Sequence, residues 1–273
     1  MNRLIVTIAA LTGIFVIFIS FGVKKAAMRQ KADLVERVDS KNRESIFKLA
    51  ENYRDRNEYL KAREAFREFA ERFPEHENAT GAGKAVEELN IKIIFSDRID
   101  DASFLYEIKP GDTLAKIASR YNTTVELIKK SNALKTDLIH PGKKIKINKA
   151  GFSIFVDKSD NILRLKRGDE VIKTYRVSTG RDLSTPVGTF KIEEKLVSPL
   201  WYKVGAVVSP ENPDYELGSR WMGLSEPEYG IHGTKNPSLI GKHITNGCVR
   251  MRNEDVEQLY AIVPSGTEVT IVE

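Results

Sequence analysis

Cysteine is nearly absent: Cys248 is the only one in 273 residues. A single thiol excludes any internal disulfide, so packing alone must hold the fold. It also excludes a closed zinc site, because Cys248 has no partner Cys or His at ligand spacing. No cysteine follows the N-terminal apolar run, so a lipid-modified anchor is excluded as well. Charge of one sign is not in large excess. The net charge of +5 and pI near 9.1 favour an anionic surface as partner without choosing which. With 41% hydrophobic and 30% charged residues, the chain has the composition of core-forming domains rather than of a disordered tail.

What is present begins with residues 4–23, LIVTIAALTGIFVIFISFGV, which carry no charge. Twenty residues at ~1.5 Å each span about 30 Å, the hydrocarbon thickness of a bilayer. A cleaved signal peptide has a shorter apolar region, of roughly 7–15 residues, so the run reads as a retained transmembrane anchor within residues 1–31. The flanking charges, Arg3 before it and Lys24, Lys25, Arg29 and Lys31 after it, argue for a cytoplasmic C-terminal side. The functional reading below argues for the opposite.

Residues 32–98 form a helical spacer. Tyr59, Ala62, Phe66, Phe69 and Phe73 recur at three- and four-residue steps, which predicts one amphipathic helix over 44–73 ended by Pro74. A second helix follows through Ala79, Ala82, Ala85, Val86 and Leu89. The run from Tyr53 to Pro74 resembles a tetratricopeptide-like repeat. Only one clear repeat is present where a solenoid needs about three, so it reads as a spacer or as a docking hairpin for a protein partner.

Residues 104–148 predict a β-α-α-β order. A strand ends at Pro110-Gly111, Asp112 or Thr113 caps one helix, Thr123 or Thr124 starts another, and Pro141-Gly142 turns into the closing strand KKIKI. PGDTLAKIASRYNTTVELIKKSNAL and LIHPGKKIKI closely resemble the LysM module. The resemblance implies binding to N-acetylglucosamine-containing glycan strands through Gly111, Asp112, Thr113, Ile139 and Pro141. On the plainer reading, the glycines only turn the chain and Asp112 only caps.

From 151 to 273 strand-like runs dominate: FSIFVD, ILRLKR, EVIKTYRVSTG, VGTFKI and TEVTIVE. One helix interrupts them, with Asn253 as its expected cap and Pro264 as its stop. The segment 197–229, with Trp201, Tyr202, Trp221 and Tyr229, has little periodicity and reads as a groove wall, a lid or an aromatic mini-core. Beyond that segment Cys248 and His232 each adjoin a glycine, Gly247 and Gly233. A free thiol with pKa near 8.5 is only slightly ionised at neutral pH, so a histidine must take its proton or stabilise the thiolate. Backbone N–H groups at Gly247 and Cys248 would hold a developing oxyanion. His243 is a rival base, read more plainly as a surface residue, and His76 and His140 lie in the other modules.

The order HGT (232–234), NGCVRM (246–251) and the upstream STPVGTFKI (184–192) closely resembles the YkuD-type L,D-transpeptidase catalytic domain. The resemblance implies a mainly β fold acting on peptidoglycan stem peptides, with Cys248 as nucleophile, His232 as base oriented by the carbonyl of Gly233, and Gly247 with Cys248 as oxyanion hole. Arg250 would fix a substrate carboxylate or make a structural contact. Thr245 stands where the family often has serine, followed by Asn246, and both belong to the substrate-binding loop. The family also implies acylation by carbapenems. No metal, cofactor or nucleic acid is expected. The chain thus reads as a multidomain, mixed protein: an anchor, a helical hairpin, a LysM module and a mainly β catalytic domain with one C-terminal helix, placed at the periplasmic or cell-wall side of the cytoplasmic membrane. An L,D-carboxypeptidase or endopeptidase, or a non-catalytic wall-binding scaffold, is the alternative.

Overall fold

The computed structural model describes residues 41–203 and 206–273. The apolar run at 4–23 lies outside the described residues, and among those described no helix is long and apolar enough to cross a membrane. The chain divides into two compact units, one ending at Gly83 and the other comprising Lys84–Glu273.

In the first unit the single helix expected over 44–73 is two helices, α1 (41–55) and α2 (Tyr59–Arg72). Asn57 separates them at φ 57°, a left-handed conformation that a short polar side chain tolerates better than most and that no helix continues through. The predicted stripe survives the break, for Ala62, Phe66 and Phe69 are buried. Phe47 of α1 meets Phe66 and Phe69 edge-on at 5.6 and 5.0 Å. The next helix, α3, runs Ala79–Ile94.

The second unit contains the β-α-α-β module. Strand β1 (Ser103–Glu107) pairs antiparallel with β2 (Lys144–Asn148), enclosing α4 (Leu114–Arg120) and α5 (Val125–Ser131). Both helices start as expected from threonine: Thr113 Oγ1 accepts from Lys116 N, and Thr124 Oγ1 from Leu127 N.

The remaining strands are β3 (Phe152–Asp157), β4 (Ile162–Arg167), β5 (Glu170–Arg176), β6 (Thr179–Gly180), β7 (Gly188–Val197), β8 (Trp201–Lys203), β9 (Ala206–Val208), β10 (Arg220–Leu224), β11 (Gly230–His232), β12 (His243–Thr245), β13 (Val249–Arg250) and β14 (Glu268–Val272), with helix α6 (Asn253–Ile262) before the last. Eight of them form one sheet in the order β13-β11-β10-β7-β14-β3-β4-β5. Alternation explains its core face. Val269 and Ile271 of β14 sit beside Ile154 and Val156 of β3, which face Leu165 and Leu163 of β4. All six are buried, and each such side chain contributes roughly 1.5–3 kcal/mol.

The same core takes in Leu127 of α5 and Ile91 and Ile94 of α3, so the two modules share buried apolar surface. Polar contacts reinforce the junction. The buried Lys146 ammonium donates to the carbonyls of Ile93 and Ser96 at 2.6 and 3.0 Å, satisfying acceptors at a helix end, although burial pulls its pKa down to about 8. Thr124 Oγ1 also donates to Ala261 O in α6.

Asn253 is not the cap of α6. The helix begins at Asn253, after Arg252, and the Asn253 side chain instead accepts the Ser219 N–H at 3.0 Å. Its amide is thereby diverted to the loop that borders the site.

Candidate active site

Three short strands at one end of the sheet position the site. β11 lies between β10 and β13, with His232 opposite Trp221 on one side and Arg250 on the other. Residues in register share a face. The alternate residues Met222, Ile231 and Val249 are buried in the core, which turns Trp221, His232 and Arg250 the other way. Cys248 immediately precedes β13, at the end of the turn that leads into it. These four residues line one cleft of about 760 Å³, together with Thr245 and Asn246.

His232 is 3% exposed and lies nearly parallel to the Trp221 ring, 5.9 Å between centroids. Its Nδ1–H donates to Gly233 O at 2.7 Å, which leaves Nε2 with the lone pair. Gly233 must be glycine, for a Cβ would stand 2.2 Å from Asn253 Oδ1. Burial, aided by the positive charge of Arg250 and opposed by backbone groups at Gly233 and Leu217, lowers the His232 pKa to about 4. The imidazole is therefore neutral at pH 7.

The Cys248 thiol donates to Glu228 O at 3.6 Å. Burial pushes its pKa up, against a hydrogen bond from the Gly230 backbone and the Arg250 charge. Burial thus acts against the charged form of each group, the thiolate of Cys248 and the imidazolium of His232.

The turn before Cys248 is built tightly. Gly247 adopts φ +129°, and a Cβ there would lie 2.4 Å from the Tyr229 ring. Thr245 Oγ1 donates to Cys248 O at 2.6 Å and accepts from Gly247 N at 3.2 Å. The hydroxyl that replaces serine thus braces the turn, and it engages the Gly247 N–H expected to face an oxyanion. Asn246 Oδ1 accepts from Arg181 Nη2 at 2.6 Å. The upstream STP motif supports the same turn from the other side. Gly180 N donates to Thr185 Oγ1 at 2.7 Å, and a Cβ on Gly180 would approach Gly247 Cα to 3.1 Å.

Arg250, 6% exposed, is paired with an acid: its Nη2 lies 2.5 Å from Glu216 Oε2. No local pattern in the sequence pointed to Glu216, which reaches Arg250 across 34 residues. His243 does not line the cleft. Its ring nitrogens meet Asn161 Nδ2 and Thr179 Oγ1 at 3.0 and 2.9 Å. Of the three readings of the 197–229 segment, the groove wall and the aromatic mini-core are both present. Trp201 and Trp221 pack on a small cluster of Val208, Tyr215 and Leu217, and both also line the cleft.

In the β-α-α-β module the expected glycan-binding residues do not all converge. The Asp112 side chain, 6% exposed, accepts from Tyr106 Oη and Lys109 N at 2.7 and 2.9 Å, and the Tyr106 hydroxyl holds its carboxyl below the usual range. Thr113 caps α4. Ile139 lines a hollow of about 170 Å³ beside Leu138, His140 and Lys143, whereas Gly111 and Pro141 lie outside its lining.

The YkuD family, described as the L,D-transpeptidase catalytic domain, matches residues 151–271, and the LysM domain matches 106–148. A putative L,D-transpeptidase YkuD of Bacillus licheniformis is 37% identical over 175 residues, 61% of this chain and 98% of that protein. Its Bacillus subtilis counterpart is 36% identical over 174 residues, covering 61% and 97%. Among solved structures, an L,D-transpeptidase from Mycobacterium smegmatis aligns at 18% identity with a TM-score of 0.40, over 48% of this chain and 64% of that one. Membership rests on the Bacillus relatives, matched over nearly their whole length. The chain belongs to the YkuD family of L,D-transpeptidases.

Proposed function

We propose that the protein is a membrane-anchored peptidoglycan L,D-transpeptidase with Cys248 as nucleophile. The observation that carries this reading is the single cleft lined by Cys248, His232 and Arg250, with His232 Nδ1 fixed on Gly233 O. Because burial disfavours a standing thiolate, His232 Nε2 takes the thiol proton as the sulfur attacks the carbonyl of the L,D-peptide bond. The C–N bond breaks, the proton passes to the departing D-alanine amine, and a thioester remains. The amine of a second stem's diamino acid then attacks the thioester, its proton moves to His232, and the sulfur leaves and is reprotonated. The product is a 3→3 cross-link. Cys248 N–H, with Gly247 N–H released from Thr245, stabilises the tetrahedral oxyanion.

The LysM module holds glycan strands near the cleft, and the apolar run at 4–23 anchors the chain with its catalytic unit on the periplasmic or cell-wall side. That orientation overrides the flanking-charge count because the substrate lies outside the membrane. Incubation of the detergent-solubilised chain with tetrapeptide muropeptides, read by mass spectrometry, tests the reading. Dimers linked 3→3 that disappear in both Cys248→Ala and His232→Ala support it. Tripeptide alone would show water as the acceptor and a carboxypeptidase; unchanged substrate would overturn catalysis.

A further inference from the structure

The charged lining of the cleft has an imbalance that the transpeptidase reading does not use. Glu194, Glu216 and Glu228 face Arg181 and Arg250 there. Both arginines are engaged, Arg181 with Asn246 and Arg250 with Glu216. Arg250 is buried apart from its approach to the cleft, and its Nε has no hydrogen-bond partner among the described residues. The Glu216 side chain, by contrast, is 54% exposed and is held by that one ion pair.

We propose that Glu216 is a specificity-determining residue: by occupying Arg250 it disfavours ligands bearing a carboxylate beside the reacting carbonyl and favours the matching carboxamides. The inference rests on the L,D-transpeptidase reading and names the charge state of its donor substrate. A ligand carboxylate that takes Arg250 Nη2 must displace Glu216, and the Glu216 charge then stands next to its own. A carboxamide avoids that repulsion, and its N–H can donate to the Glu216 carboxylate. A carboxylate is a preferred partner of a guanidinium, and here the protein supplies one itself at Arg250 Nη2.

The test uses two alkylating reagents with the same reactive carbon, iodoacetate and its neutral carboxamide, iodoacetamide. In each, the Cys248 sulfur displaces iodide and the thiol proton is lost to base. Since the chain has one cysteine, every labelling event reports on this cleft. In the full chain, Glu216→Gln should raise the iodoacetate-to-iodoacetamide rate ratio by about threefold to tenfold, the effect of one charge at cleft distances under partial screening. Glu194→Gln removes a charge from the same cleft without touching the Arg250 pair and should move the ratio by less. An unchanged ratio in Glu216→Gln, or an equal change in Glu194→Gln, would overturn the proposal.

A second arm compares tetrapeptide donors whose diamino acid carries either a carboxylate or a carboxamide. The wild type should turn over the carboxamide with the higher kcat/KM, and Glu216→Gln should narrow the preference mainly through KM. A preference that survives Glu216→Gln unaltered overturns the gate. Failure of the wild type to turn over either donor defeats the transpeptidase reading instead, while the labelling ratio still decides the role of Glu216.

Discussion

The LysM module and the catalytic sheet use their motif residues in opposite ways. In the first, Asp112, Thr113 and Thr124 are engaged by hydroxyl and backbone partners that close turns and start helices, leaving apolar residues such as Leu138, 70% exposed, to face outward. In the second, His232 and Arg250 are buried where their charged forms are poorly solvated, and Cys248 sits on a turn that only glycine can precede. One set of polar residues makes the fold; the other is held by the fold against its own preference. Substitutions should therefore separate, with losses of stability in the module and losses of chemistry in the sheet.

The largest expected effect is on Cys248. Cys248→Ala should reduce cross-linking about a thousandfold or more while leaving the thermal midpoint near that of the wild type, and a comparable activity in the variant would break the comparison at its centre. Next comes the pH dependence of His232. Its folded pKa of about 4 lies below the ordinary 6.5, so between those values the unfolded chain binds a proton that the folded chain refuses. Stability consequently falls as the pH drops through that window, by roughly 3 kcal/mol in full. Denaturant titrations at several pH values should show this slope, and His232→Gln should remove it. The acid limb of kcat/KM should likewise lie near pH 4; a limb near 6.5 would mean that the imidazole is not buried in the working enzyme.

A smaller effect is expected at Thr245, which braces the catalytic turn by a hydroxyl alone. Thr245→Val removes both its bonds, leaving Cys248 O and Gly247 N without a partner at a cost of about 1–3 kcal/mol. Thr245→Ser keeps them and should retain activity. Loss in Thr245→Ser with activity kept in Thr245→Val would show that the methyl, not the hydroxyl, matters.

Much of this arrangement was legible before any coordinates. Strand-like runs separated by turn signals gave FSIFVD and ILRLKR as strands, and threonine caps gave both helices of the module, because those signals are local. The break at Asn57 was hidden because neither glycine nor proline interrupts residues 44–73. Asn253 looked like a cap, since nothing nearby reveals that Ser219 N–H takes its amide. Strands of two to five residues, such as β11 and β13, are too short to show a period; their burial is set by neighbours distant in the chain. For the same reason HGT and NGCVRM pointed to the cleft, while Glu216 did not.

The smallest effects sharpen the comparison within the module itself, where two threonines make the same cap in different surroundings. Thr113 Oγ1 accepts from Lys116 N on an exposed helix start. Thr124 Oγ1 accepts from Leu127 N and also donates to Ala261 O in the catalytic unit. Thr124→Ala should therefore cost about 2 kcal/mol, one cap and one further hydrogen bond, whereas Thr113→Ala should cost about 1 kcal/mol for the cap alone. Neither should change the rate on soluble stem peptides, since neither residue reaches the cleft. Urea midpoints of the two variants measure the difference. Equal costs would mean that the Ala261 contact adds nothing to the junction, which would then rest on the shared apolar core that includes Leu127.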